Sequence, residues 1–222
     1  MTAIILRSLS YSVHILERSS SSTLQSQAAG IRAGPELHSF ISTHVPNFDP
    51  EYAIAPDVFE IVRQSGEVEM AIPPADPLRL TTWKKVYDML LSTFLGEKNG
   101  DGDGKAVYET KMKVEDVREE GDGKVLVTYR NLEDDTTRTV QVDLVIAADG
   151  AHSTVRRIIS SDDVEAPRYA GYVTWRGRVP EEDVSQETRA ALQNRCVLMR
   201  VQDGYMISYV QILQLIQLIH SH

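Results

Sequence analysis

Leu80, Trp83, Val86, Tyr87, Leu90, Leu91 and Phe94 fall at three- and four-residue steps, the period of one helical face. They predict a helix over 79–95, closed by Gly96. Residues 2–9 show the same period through Ile4, Ile5 and Leu9, with no capping residue ahead of them. Val13, Ile15 and Leu16 then make a short apolar strand that stops at the charged pair Glu17-Arg18. Ser19–Thr23 reads as a polar loop, 25–35 as an Ala/Gly-rich connection and 36–42 as a helix. Prolines at 46, 50, 56, 73, 74 and 77 divide the stretch before the long helix into short elements.

Beyond the long helix the period changes to two. Segments 106–117, 124–130 and 138–148 read as an antiparallel meander, joined by turns at 119–123 and 131–137. Its third strand ends in Val142-Asp-Leu-Val-Ile-Ala-Ala, an apolar run expected of a strand buried on both faces. A turn at Asp149-Gly150 then opens a short helix. After it come a strand over 168–179, an amphipathic helix over 181–194, and a hairpin of 196–201 with 205–210.

Composition narrows the function classes. The chain has 222 residues, 42% hydrophobic and 25% charged, enough for a core. A net charge of −9 without a Lys/Arg tract makes nucleic acid and anionic membranes poor partners. The single Cys196 excludes an internal disulfide and a cysteine-based zinc site. No apolar run approaches the roughly 20 residues of a bilayer span, so a cytoplasmic protein is expected. The tail 211–219 repeats aliphatic pairs every three residues, matching neither regular period. With the uncapped opening, it predicts a chain cut or altered at both ends relative to a longer parent.

Three constellations bear on chemistry. Asn99-Gly-Asp-Gly-Asp-Gly has the start of a calcium loop, but Thr110 stands where a bidentate Glu is needed, so it reads as a connection. A carboxylate closing a strand, as Glu17 does, suits the ribose hydroxyls of a dinucleotide; a surface ion pair fits it too. The Asp149-Gly150 turn lets backbone approach a ligand, with Ser153 near a helix start whose free amides suit phosphate, and Arg156 placed to pair with a phosphate or with Asp149. A simple capped helix after a strand fits these residues equally.

Taken together, three segments resemble the class A FAD-dependent aromatic hydroxylases of the p-hydroxybenzoate hydroxylase type. They are Val13-His-Ile-Leu-Glu-Arg, Gln27-Ala-Ala-Gly-Ile-Arg-Ala-Gly-Pro-Glu and Asp143-Leu-Val-Ile-Ala-Ala-Asp-Gly-Ala-His-Ser-Thr-Val-Arg. Leu80-Thr-Thr-Trp-Lys-Lys-Val-Tyr and Tyr169-Ala-Gly-Tyr-Val-Thr-Trp-Arg-Gly are most similar to the branch around 2,6-dihydroxypyridine 3-monooxygenase. The resemblance spans about residues 3–210.

It implies an α/β fold: an incomplete Rossmann-like FAD-binding domain over 1–160, carrying the helix and the meander, and part of a mixed-sheet substrate domain over 161–222. It implies FAD and NAD(P)H as cofactors and a small aromatic substrate, with O2 the source of the inserted oxygen. Glu17 and Arg18 would meet the adenosine ribose, and Arg32 the flavin or pyrophosphate. Arg79 would open the helix that runs along FAD. Asp149 and Gly150 would touch FAD, with Ser153 and Arg156 supporting that turn. His152 and Trp175 are expected to be structural.

Two family motifs are not found. The Gly-x-Gly-x-x-Gly loop that holds the pyrophosphate does not occur in residues 1–222, nor does the Gly-Asp pair that meets the ribityl chain. Three functions therefore compete: an FAD-dependent monooxygenase represented by an incomplete, weakly active or inactive chain; a non-catalytic remnant that binds a partner; and an NAD(P)-dependent reductase. The antiparallel strands inserted before Asp149 disfavour the last.

Overall fold

The structure is a computed structural model that describes residues 1–25, 30–73, 79–96, 104–160, 168–177, 179–201, 204–209 and 216–221. Helix α1 (Thr2–Ser8) leads through Ser10, at φ 71°, into strand β1 (Val13–Glu17). Arg7 docks α1 on the end of the long helix α4 (Trp83–Leu95). Its buried guanidinium donates to the Phe94 carbonyl at 2.6 Å and the Gly104 carbonyl at 3.3 Å. A cation over a helix C-terminus satisfies carbonyls that have no intrahelical partner.

Helix α4 is shorter than its periodicity predicts. Arg79–Thr82 is strand β5, paired antiparallel with β2 (Gly30–Ala33). Thr81 is fully buried there and its hydroxyl donates to the Tyr52 carbonyl, while Thr82 caps α4 by accepting from the Lys85 amide. Two adjacent β-branched residues and a ladder partner outweigh a helical stripe. Between β2 and β5 lie α3 (Pro35–His44), β3 (Val58–Arg63) and β4 (Val68–Ile72). Ala33, Ile41, Val45, Tyr52 and Ala53 form the core beneath β2. The stretch predicted as a serine-rich loop holds a one-turn helix, α2 (Ser21–Gln25).

The single strand expected over 106–117 is two. Lys111, at φ 62°, breaks it into β6 (Ala106–Thr110) and β7 (Met112–Glu119). Strand β6 pairs parallel with β1, placing Thr110 beside Glu17. The meander is β7, β8 (Val125–Asn131) and β9 (Thr137–Val142), so it covers 112–142 rather than 106–148.

The apolar run after Val142 is not the buried strand expected. Leu144 and Ile146 are 68% and 54% exposed, and residues 143–148 have no ladder partner among the described residues. A strand of this kind is buried only when neighbours cover it.

Helix α5 (Thr154–Ile159) packs on β7. The remaining elements are β10 (Tyr172–Gly177), α6 (Gln186–Leu192), β11 (Arg195–Val201), β12 (Gly204–Tyr209) and β13 (Ile216–Ser221). Strand β10 begins later than the expected 168, and α6 is shorter than 181–194. The hairpin appears as β11 and β12. The tail without a clear period ends in β13.

These strands form a mixed six-stranded sheet, ordered β10-β13-β12-β11-β3-β4, in which β11 runs parallel to β3. The sheet therefore crosses the boundary drawn at residue 160, because β3 and β4 come from the first segment. The calcium-like loop at 99–103, residues 27–29 of the second resemblance segment and the Trp175 side chain lie outside the described residues.

Candidate functional site

The predicted site residues fall into three groups. The first is the corner between the meander and α5. The Asp149 carboxylate accepts from the Ser153 hydroxyl at 2.5 Å, the Thr154 amide at 2.6 Å and the Val155 amide at 3.1 Å. Ser153, itself buried, accepts from the Arg156 amide at 3.0 Å. The Arg156 guanidinium returns to donate to the Gly150 and Ala151 carbonyls at 3.0 and 2.9 Å. Gly150 has φ 77°, which L side chains rarely adopt, and the space beside it is open.

The corner is thus braced from within, and the first amides of α5 are already taken. This overturns the expectation that they are free for phosphate. Burial works to raise the Asp149 pKa, but the Ser153 hydroxyl and the Val155 and Thr154 amides outweigh it and hold the carboxyl below its usual range.

The second group is the end of β1. Glu17 Oε1 accepts from the Ser19 amide at 2.6 Å; Oε2 has no hydrogen bond among the described residues. In the parallel register Ile15 faces Tyr108 and Glu17 faces Thr110, so Glu17 and Tyr108 share one face of the β1–β6 pair. That face looks toward α4, where the Tyr87 hydroxyl lies 2.8 Å from that of Tyr108 and Tyr87 stacks on Trp83 at 4.7 Å. Burial raises the Tyr108 pKa, and the Tyr87 hydrogen bond and the Glu17 charge raise it further. Tyr108 therefore stays a neutral hydroxyl. Arg18 is exposed next to Glu17.

The third group is the β2–β5 ladder. Arg32 lies opposite Leu80, and Ala33 opposite Arg79, so the two arginines belong to opposite faces of the ladder. Arg32 is exposed. Arg79 is on the face of the buried Ala33 and Thr81, close enough to Tyr52 for its charge to offset part of the burial that raises the Tyr52 pKa. Its Nε is buried with no hydrogen-bond partner among the described residues.

No side-chain hydrogen bond or ion pair joins the three groups among the described residues. Strand β7 packs against both β1, which Glu17 closes, and α5, which follows the Asp149 corner. Sequence reasoning missed Tyr108, Tyr87 and the strands β3 and β4. The alternation of Val68, Met70 and Ile72 was a signal for β4. Nothing in local spacing signals Tyr108, because only the β1–β6 register brings it beside Glu17.

Comparison with known proteins adds independent findings. A family model described as "FAD binding domain-like" matches residues 169–212. The chain is 27% identical over 215 residues to 2,6-dihydroxypyridine 3-monooxygenase of Paenarthrobacter nicotinovorans, covering 93% of this chain and 47% of that protein. A 38-residue stretch is 63% identical to 3-amino-4-hydroxybenzoate 2-monooxygenase of Streptomyces cremeus, covering 17% of this chain and 9% of that protein.

Among solved structures, 2,6-dihydroxypyridine-3-hydroxylase from Arthrobacter nicotinovorans superimposes with a TM-score of 0.75 at 22% identity. The match covers 99% of this chain and 52% of that one. CtdE in complex with FAD and its substrate gives 0.74 at 16% identity, covering 100% and 54%. The chain therefore spans about half the length of the dihydroxypyridine relative and of both structures. The resemblance to class A flavin monooxygenases holds in sequence and in fold, a mixed α/β arrangement. Among the described residues no helix is long and apolar enough to cross a membrane.

Proposed function

We propose that this chain is part of an FAD-dependent monooxygenase that hydroxylates a small aromatic or heteroaromatic compound with NAD(P)H, and that residues 1–222 alone hold the flavin weakly. The parallel β1–β6 pair is, in this reading, a portion of a Rossmann-like FAD domain. The observation that carries the proposal is the Asp149–Gly150 corner. Its carboxylate, hydroxyl and guanidinium are all spent on holding a turn in which Gly150 leaves backbone open to a neighbour.

The residues present fit FAD. Arg79 Nε is a buried cationic donor without a partner among the described residues, suited to a phosphate oxygen. Glu17 Oε2 is an acceptor left over for a ribose hydroxyl, with Arg18 beside it. Arg32, on the other face of its ladder, is placed for a different part of the cofactor or for solvent. When bound, FAD supplies the redox and oxygen-transfer chemistry; the protein binds, orients and excludes water. Tyr108, kept neutral, gives Glu17 a fixed polar neighbour rather than a second charge.

Weak retention is expected because residues 1–222 contain no Gly-x-Gly-x-x-Gly loop. Each lost hydrogen bond to a charged phosphate is worth about 1.5–3 kcal/mol. Titrating the purified chain with FAD, followed by flavin fluorescence, should give saturable but weak binding. Glu17→Gln should weaken it about tenfold, the equivalent of about 1.4 kcal/mol. Retention of NADPH with no affinity for FAD would overturn the reading in favour of a reductase; affinity for neither would favour a non-catalytic remnant.

A further inference from the structure

Trp83 opens helix α4 and lies one turn before Tyr87. Residues so spaced share one face of a helix, and here their rings stack with centroids 4.7 Å apart and planes 14° from parallel. The Tyr87 and Tyr108 hydroxyls, 2.8 Å apart, fix that face against β6. Further along α4, Val86 and Phe94 are buried, whereas Trp83 is only half-buried.

Two anchors set the level of Trp83 along the strands. Arg7 donates to the carbonyls of both Phe94 and Gly104, so the end of α4 and the approach to β6 lie side by side. From that point Tyr87 is about 10 Å back along the helix, and the same length of strand from Gly104 reaches Val107, next to the Tyr108 that Tyr87 meets. Trp83 is about 17 Å back, and that length of strand reaches Glu109, which pairs with Leu16. Helical side chains lean toward the N-terminus, which carries the indole on to the level of the next pair, Thr110 and Glu17. Ligands of open parallel sheets bind beyond the carboxyl ends of the strands, and Trp83 and Glu17 stand at that end together.

We propose that Trp83 is the stacking wall for the adenine base of the nucleotide whose ribose Glu17 holds. This rests on the function proposed above and adds a residue for the base. The base is bonded directly to the ribose, so a carboxylate on the ribose hydroxyls leaves the base within reach of an aromatic ring at the same level. Tyr87 covers one face of the indole and is itself pinned by Tyr108, so the ring is fixed before a ligand arrives and loses little side-chain entropy on stacking. Packing alone would give the same Trp83–Tyr87 stack; the two roles differ in how they respond to a base.

The chain has two tryptophans, and Trp175→Phe leaves Trp83 as the sole indole reporter. In that background AMP should quench Trp83 emission saturably, whereas ribose 5-phosphate, which carries no base, should not. Trp83→Leu should weaken AMP binding about tenfold by calorimetry, the scale of one base–aromatic stack. Trp83→Phe, which keeps a ring, should recover most of that loss. Equal quenching by the two probes overturns the proposal. So does a Trp83→Leu chain with an unchanged circular dichroism spectrum that binds AMP as tightly as the native one, and so does an absence of AMP binding. A parallel titration separates this failure from failure of the function itself. FAD binding that responds to Glu17→Gln but not to Trp83→Leu removes only the base contact; no affinity for FAD removes both.

Discussion

Two carboxylates, one closing β1 and one in the turn before α5, are used in opposite ways. Asp149 spends both oxygens on its own chain, on one hydroxyl and two amides. Glu17 spends one oxygen on the Ser19 amide and leaves the other without a hydrogen bond among the described residues. A carboxylate whose acceptors are filled builds structure, whereas one with capacity left over can serve a ligand. The residue type is silent on this difference; the count of partners decides it.

The largest expected effect separates the two corners directly. Asp149→Ala strands the Ser153 hydroxyl and the first amides of α5, and should cost about 2 kcal/mol, the upper end for losing a helix cap. Glu17→Gln should leave thermal stability nearly unchanged. Paired thermal melts of the two variants measure the contrast, and equal losses would break it.

Gly150→Ala comes next. The open space beside Gly150 removes any collision, so the cost is backbone strain alone at φ 77° and should be about 1 kcal/mol by chemical denaturation. A loss no larger than that of an ordinary surface substitution would show that the turn relaxes freely.

The smallest effect is in pH. Asp149 has a folded pKa below its unfolded value, so its contribution is complete above the ordinary aspartate range near about 3.9 and is lost as pH falls through the depressed folded value. The gap in melting temperature between the native chain and Asp149→Asn should therefore be constant at neutral pH and close in acid. A gap that widens in acid would contradict the assignment.

The fold was partly legible in the sequence. The stripe from Trp83 to Phe94, the turns of the meander and the hairpin after Arg195 were readable because each is set by residues close along the chain. The start of α4 was not, since Thr81 and Thr82 leave the helix only because β2 offers a ladder. The run at 143–148 misled for the same reason in reverse: its composition suits a covered strand, and among the described residues nothing pairs with it. Of the candidate site, Asp149, Gly150, Ser153 and Arg156 were legible as a unit because they lie within eight residues of one another.

The sequence by itself determined the local pieces: the capped start of α5, the glycine at the corner, the acidic surface and the absence of any cysteine framework. Those depend on bonds and sterics a few residues apart. Only the tertiary structure decided that β3 and β4 join the sheet of the later strands, that Arg32 and Arg79 part to opposite faces, and that Tyr108 stands beside Glu17. Each of these rests on register between strands far apart in sequence, and a shift of one residue there turns every side chain to the other face.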